Sequence, residues 1–110
     1  MDRGFTIDPK KYEYFFGRVT GRDANRSKQI RDILESIGID DTPEGREALE
    51  DIFRRGLTGP KGWRKTNPYG VTINRSVVIG NVRLNIGYFY EGGDLCSIPK
   101  ITTIIPEVLK

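Results

Sequence analysis

At 110 residues the chain has room for one domain with a single modest core. One cysteine, Cys96, excludes an internal disulfide, and the complete lack of histidine excludes a His-based catalytic centre and leaves a transition-metal site short of its commonest ligand. The net charge is only +3, no apolar run approaches the roughly 20 residues of a membrane span, and no signal-peptide pattern opens the chain.

Asp8-Pro9 predicts a helix start, an N-cap candidate followed by proline in the first turn. Tyr12, Phe15 and Phe16 then share one face, and Gly17 ends the short helix. A second helix is expected from about Ala24 to Ser36, with Ile30, Ile33, Leu34 and Ile37 as its apolar stripe and Gly38 just past its end. One turn back from Ile30 stands Arg26, so the periodicity places Arg26 on the inward side, flanked by Ser27, while Lys28, Arg31, Asp32 and Glu35 point away. An inward arginine either pairs with a carboxylate or looks into a cleft. Thr42-Pro43-Glu44 opens a third helix by the same capping logic. Ala48, Leu49, Ile52 and Phe53 form its buried face, and Arg54-Arg55 close it in agreement with the helix dipole.

Charge is unevenly spread. Asp32, Glu35, Asp40, Asp41, Glu44, Glu47, Glu50 and Asp51 form an acidic block broken only by Arg46. From Arg54 to Arg75 there are six bases (Arg54, Arg55, Lys61, Arg64, Lys65, Arg75) and no acid. Leu57 to Gly70 reads as a long Gly-, Pro- and base-rich loop with Trp63 in its middle, a composition that suits a polyanion and a stacked base. Gly59-Pro60-Lys61-Gly62 is not a phosphate loop, because the Gly-Lys-Ser/Thr ending is missing.

Period-two alternation takes over at Val71. Val71, Ile73, Val77 and Ile79 line one side of a strand, Gly80-Asn81 makes a hairpin turn, and Val82, Leu84, Ile86, Tyr88 and Tyr90 line one side of the next. Strict alternation also puts Arg75 on the apolar side, which calls for a bulge or a cleft. Gly92-Gly93-Asp94 is a second turn, and a third strand runs from Ile98 to Ile105 and stops at Pro106, with one of Thr102 and Thr103 expected on each side. Cys96 is expected to be a small buried residue. The order predicts an α+β domain, with a helical part over 8–56 packed on an antiparallel β-sheet meander over 71–106, together one unit over 1–110.

Three segments carry a resemblance. Asn25-Arg26-Ser27-Lys28-Gln29, then Ile37-Gly38-Ile39, then Asp41-Thr42-Pro43-Glu44-Gly45-Arg46 resemble the C-terminal toxin domains of bacterial polymorphic toxins, including contact-dependent growth inhibition proteins. By motif the resemblance covers residues 8 to 56, and beyond that only the order of helices then meander. It implies the fold shared by barnase, RelE and several colicins. It also implies a metal-independent ribonuclease that often acts on tRNA, a cognate immunity protein, and for some members a host translation factor such as EF-Tu. Such a domain is delivered from a secreted or cell-surface effector into the cytoplasm of a target bacterium. The missing histidine departs from members with a histidine base and agrees with those that use Lys, Arg, Tyr and Thr.

Metal-free RNA cleavage uses the substrate's own 2′-OH as nucleophile, so the protein must hold it in line, stabilise the phosphorane charge and move protons. Arginine suits that charge, which makes Arg26, Arg75 and Arg83 the leading candidates, with Lys28 as a lesser one. Tyr88, Thr102 and Thr103 can donate to phosphate oxygens. Arg54, Arg55, Lys61, Trp63, Arg64 and Lys65 are the expected RNA-binding residues. Neither a metal nor a cofactor is expected. The same charge pattern is compatible with a non-catalytic RNA- or protein-binding module, whereas an immunity-type interaction domain sits less well with a basic chain.

Overall fold

A computed structural model describes residues 4–109. Residues 1–3 and Lys110, counted in the expected domain, lie outside them. The elements run β1 (Thr6–Ile7), α1 (Lys10–Phe15), α2 (Ala24–Ser36), α3 (Pro43–Gly56), β2 (Lys61–Asn67), β3 (Gly70–Ile79), β4 (Val82–Glu91) and β5 (Lys100–Val108). The strands form one sheet in the order β1-β5-β4-β3-β2, antiparallel throughout except that β1 lies parallel to β5. The domain is α+β, as the order of patterns predicted, but the sheet is mixed and larger than the expected meander.

The helix ends follow local chemistry. Thr42 Oγ1 accepts from Gly45 N–H at 3.0 Å, with Pro43 in the first turn. At the other end of α2, Gly38 takes φ +83°, Gly38 N–H donates to Glu35 C=O at 3.0 Å, and Ile39 N–H donates to Leu34 C=O at 2.9 Å. This paired closure satisfies carbonyls that would otherwise be orphaned and turns Ile39 into the core.

One layer of helices covers one face of the sheet. Phe15, Leu34, Leu49 and Phe53 are fully buried against Leu84, Ile86, Tyr88 and Ile101. Each large apolar side chain so removed from water contributes about 1.5–3 kcal/mol. Tyr88 Oη donates to Phe53 C=O at 2.5 Å, which ties β4 to the last turn of α3. Gly56 makes that approach possible, because a Cβ there would stand 2.2 Å from Tyr88 Oη.

Several expectations need correction. The 57–70 segment is not a loop: residues 61–67 pair with β3 as an edge strand. All its side chains are exposed, so no apolar alternation marks it, and the backbone ladder alone holds it. The two-residue β1 is too short for any periodicity. The last strand runs through Pro106 to Val108, because β1 covers β5 only at Lys100 and Ile101 and leaves an open edge where proline is tolerated. Arg26 is exposed, and the inward residue is Ser27, whose Oγ donates to Tyr14 C=O at 2.5 Å. The stripe therefore runs Ser27, Ile30, Leu34, and a small hydroxyl suits the tight approach of α1 better than a guanidinium. Cys96 is exposed, in the turn after β4.

Candidate functional site

The other face of the sheet carries no helix. Alternation sends Thr72, Asn74, Ser76 and Val78 of β3 to it, together with Arg83, Asn85, Gly87 and Phe89 of β4. Two irregularities fall in one row across this face. Between Lys61 and Arg64 the register of β2 shifts, leaving Gly62 and Trp63 together opposite Asn74. Asn74 pairs with Gly87. On the far side of Gly87 the register of β5 shifts as well, so that Thr102 and Thr103 stand together there. A bulge sets two residues against one and re-aims their side chains. The row thus reads Gly62–Trp63, Asn74, Gly87, Thr102–Thr103, with a residue lacking a side chain at its centre.

The Thr102–Thr103 bulge corrects the expectation of one threonine per side. Thr102 Oγ1 donates to Gly87 C=O at 3.2 Å, and a Cβ on Gly87 would come within 2.9 Å of both Thr102 Oγ1 and Thr103 Cγ2. Both threonines line a cleft of about 470 Å³ at the β5 side of the sheet, completed by Asp8, Lys10, Lys11, Tyr14 and Asp23. Helix α1 reaches this position because Phe15 and Tyr12 anchor its apolar face in the core, which turns Lys10, Lys11 and Tyr14 towards the strand. Asp8 Oδ1 accepts from Lys10 N–H at 3.0 Å and fixes the start of the helix. The cleft therefore gathers two ammonium groups, three hydroxyls and two carboxylates.

Beside the row lies a second cleft, of about 430 Å³, which crosses the sheet from Trp63 of β2 past Asn74 and Asn85 to Ile105, Pro106 and Glu107 of β5. Trp63 is 47 % exposed and Asn74 only 3 %. Asn85 Nδ2 donates to Ile105 C=O at 3.1 Å, and Arg83 Nη1 meets Glu107 Oε1 at 2.9 Å on the rim.

The structure redistributes the residues singled out from the sequence. Thr102, Thr103, Trp63, Lys65 and Arg83 belong to the open face, Lys65 by its pairing with Thr72. Lys61 and Arg64 pair with Arg75 and Ile73 and so project on the helix side of the edge strand. Arg54 and Arg55 are exposed at the end of α3, Arg54 paired with Asp51 at 2.5 Å. Arg26 and Lys28 are exposed and line neither cleft. Tyr88 is buried in the core, not presented to a substrate; burial, then the neighbouring Tyr90, push its phenol pKa up, and Arg75 opposes them. Arg75 stands on the core side with no bulge in β3, and its Nη1 donates to Gly59 C=O at 2.9 Å while its buried Nε has no hydrogen-bond partner among the described residues. Sequence reasoning missed Lys10, Lys11, Tyr14, Asp23, Asn74 and Asn85. The one available signal was the polar face of α1, two lysines and a tyrosine opposite its aromatic anchors.

The motif that looked most distinctive in the sequence has a packing role. Both Arg46 Nε and Nη2 donate to Asp41 Oδ1, at 3.1 and 3.0 Å, and its guanidinium lies 5.3 Å from the Tyr12 ring centroid. Asp41 also pairs with Arg18. A Cβ on Gly45 would collide with Asp40 C=O at 1.8 Å. Asp41-Thr42-Pro43-Glu44-Gly45-Arg46 thus locks the start of α3 onto α1 and the segment after it.

No protein-family model matches the chain, and no curated protein does. Among solved structures, one match is a chain of a contact-dependent growth inhibition toxin–immunity protein complex from Klebsiella pneumoniae 342. The superposition has a TM-score of 0.76 at 22 % identity and covers 93 % of this chain and 99 % of that one. The two chains share a fold. An identity of 22 % carries over the fold and no side-chain role. No helix among the described residues is long and apolar enough to cross a membrane, and no group of three or more His, Cys, Asp or Glu residues there is placed to hold a metal.

Proposed function

We propose that this chain is the toxin domain of an antibacterial effector and that it cleaves RNA, tRNA first among its substrates, without a metal ion. The observation that carries this reading is the row of two bulges, at one end of which Thr102 and Thr103 meet the ammonium groups, hydroxyl and carboxylates of α1 and its neighbouring segments, with an exposed tryptophan at the other. The shared fold with a chain of a toxin–immunity complex, and the basic net charge, support the toxin side of such a pair. Arrival in the cytoplasm of a target bacterium from a secreted or cell-surface effector, neutralisation by a cognate immunity protein, and the barnase-like grouping belong to the same proposal.

In this reading the RNA backbone crosses the face beside Gly87, over which the Thr72, Thr102 and Thr103 side chains close, and the scissile phosphate enters the Thr102–Thr103 cleft. The substrate 2′-OH attacks the adjacent phosphorus and the 5′-oxygen leaves, giving a cyclic 2′,3′-phosphate and a 5′-OH. Asp23 takes the 2′-OH proton, and Tyr14 or Lys11 protonates the leaving oxygen. Lys10, Lys11 and the Thr103 hydroxyl stabilise charge on the phosphorane, where fixed donors outperform mobile water, and the Thr102 hydroxyl joins them by turning its proton from Gly87 C=O. Arg83 and Lys65 supply outlying phosphate contacts.

The experiment is controlled expression in a bacterium, with total RNA separated on a denaturing gel and probed for tRNA. Discrete tRNA fragments are expected, undiminished by EDTA in extract. The double variant Thr102→Val with Lys11→Ala should lower cleavage at least a hundredfold while remaining folded. Growth arrest with intact RNA overturns the ribonuclease reading. Intact RNA without arrest, even when cell extract supplies a host factor such as EF-Tu, leaves a non-catalytic RNA- or protein-binding module.

A further inference from the structure

We propose that the Trp63 cleft is a nucleobase subsite, which takes one unpaired base of the bound RNA and prefers a base with N–H donors on its Watson–Crick edge, guanine foremost. The inference rests on the RNA reading above and adds to it a recognition pocket separate from the cleavage cleft.

Four observations converge. The cleft, about 430 Å³, falls within the range of about 300–1,000 Å³ typical of small-ligand sites. Its wall is Trp63, an indole left 47 % exposed on the rim of a sheet that has ample core elsewhere to bury it. Aromatic side chains in this position offer a stacking surface for any base, worth about 1–3 kcal/mol. The bulge at Gly62–Trp63 is what swings the indole over the open face. Its price in sequence is Gly62, since a Cβ there would stand 2.8 Å from Asn74 Oδ1.

The floor is polar and incompletely satisfied. Asn74 is 3 % exposed as a residue and borders the cleft, with its side-chain amide in no hydrogen bond to another described residue and its amide atoms not sealed from solvent. An amide that meets the cleft with its donor and acceptor unengaged by protein is open to a ligand. Beside it, Asn85 has its Nδ2 engaged with Ile105 C=O, which leaves Oδ1 as its free acceptor. Glu107 adds carboxylate oxygens at the rim, one of them held by Arg83. Two acceptors beside one amide match an edge that donates twice, as guanine N1–H and N2–H do. Adenine, with an acceptor at N1, matches less well.

Trp63 is the chain's one tryptophan, so its fluorescence reports on this cleft alone. The intact domain is titrated with GMP, UMP, CMP, AMP and, as a base-free control, ribose 5-phosphate, each corrected against free tryptophan amide. Saturable quenching by GMP at least threefold tighter than by AMP is expected, with none from ribose 5-phosphate. Asn74→Ala and Asn85→Ala should each weaken GMP at least tenfold. Asn85 is the safer of the two should removal of the buried Asn74 amide disturb folding. Equal quenching by ribose 5-phosphate overturns a base site in favour of a phosphate site. AMP binding as tightly as GMP overturns the assigned edge. No quenching by any nucleotide overturns the proposal and leaves the cleft to a protein partner. Cleavage of tRNA on the gel with no quenching removes the subsite but not the ribonuclease, and quenching with intact RNA does the reverse.

Discussion

The two faces of one sheet share every strand and differ in almost everything else. On the covered face Val71, Ile73, Val77, Leu84, Ile86 and Tyr88 meet α1, α2 and α3 in a continuous apolar core. On the open face the alternate residues are Thr72, Asn74, Ser76, Arg83, Asn85 and Gly87, and the outer strands bulge towards them from both sides. The lesson is a division of labour at period two. The covered face sets stability, while the open face is free to be shaped for chemistry, and a bulge on the open side disturbs little on the other.

If that division holds, substitutions on the covered face should cost stability and spare open-face chemistry in any protein that remains folded. The largest effect is expected for Phe53→Ala, which empties the centre of the core. A loss of about 3–5 kcal/mol in urea denaturation is expected, a large part of the roughly 5–15 kcal/mol that holds such a domain together. A loss below about 1 kcal/mol would mean that the helices are not packed as described. Tyr88→Phe removes one oxygen and strands the Phe53 carbonyl. It should cost about 1–3 kcal/mol and leave GMP quenching of Trp63 unchanged; lost quenching would place Tyr88 in the site after all.

The raised phenol pKa adds a pH test. Above about pH 10 an unfolded tyrosine ionises while the buried Tyr88 resists. The unfolded state then binds fewer protons, so stability should fall as pH rises there, and Tyr88→Phe should blunt that fall.

Smaller effects sharpen the open side. Lys65→Ala should reduce the salt dependence of RNA binding by about 0.7 in log–log slope, one single-strand phosphate contact, with thermal stability untouched. The equivalent change at Lys61, on the helix side of the same strand, should leave the slope alone. Arg26→Ala should change stability by less than about 0.5 kcal/mol and leave RNA cleavage intact. Loss of cleavage in a folded Arg26 variant would move the catalytic centre off the open face and onto α2.

The arginine shows why the site was harder to read than the fold. Helical periodicity placed Arg26 one turn from Ile30, but the inward position went to Ser27, because the stripe steps by three there and α1 crosses too closely for a long side chain. Edge strand β2 has no apolar residue on a buried face, so nothing in its composition distinguishes it from a loop, and its existence depends on the exposed backbone of β3. The motif from Asp41 to Arg46 caps α3 and ties it to Tyr12 of α1. Conversely, Lys10, Lys11 and Tyr14 line a cleft only because β5 lies beside them.

By itself the sequence determined the helix limits at Ala24, Ser36 and Pro43, the Gly80-Asn81 hairpin, and which side of β3 and β4 would be apolar. These are local matters, set by capping groups, left-handed glycines and side-chain alternation within a few residues. Only the tertiary structure decided that β2 and β1 would complete the sheet, that Thr102 and Thr103 would share a face, and that Trp63, Asn74 and Gly87 would fall in line. Strand register and bulge position depend on which backbone donors a neighbouring strand offers, and that neighbour can lie dozens of residues away.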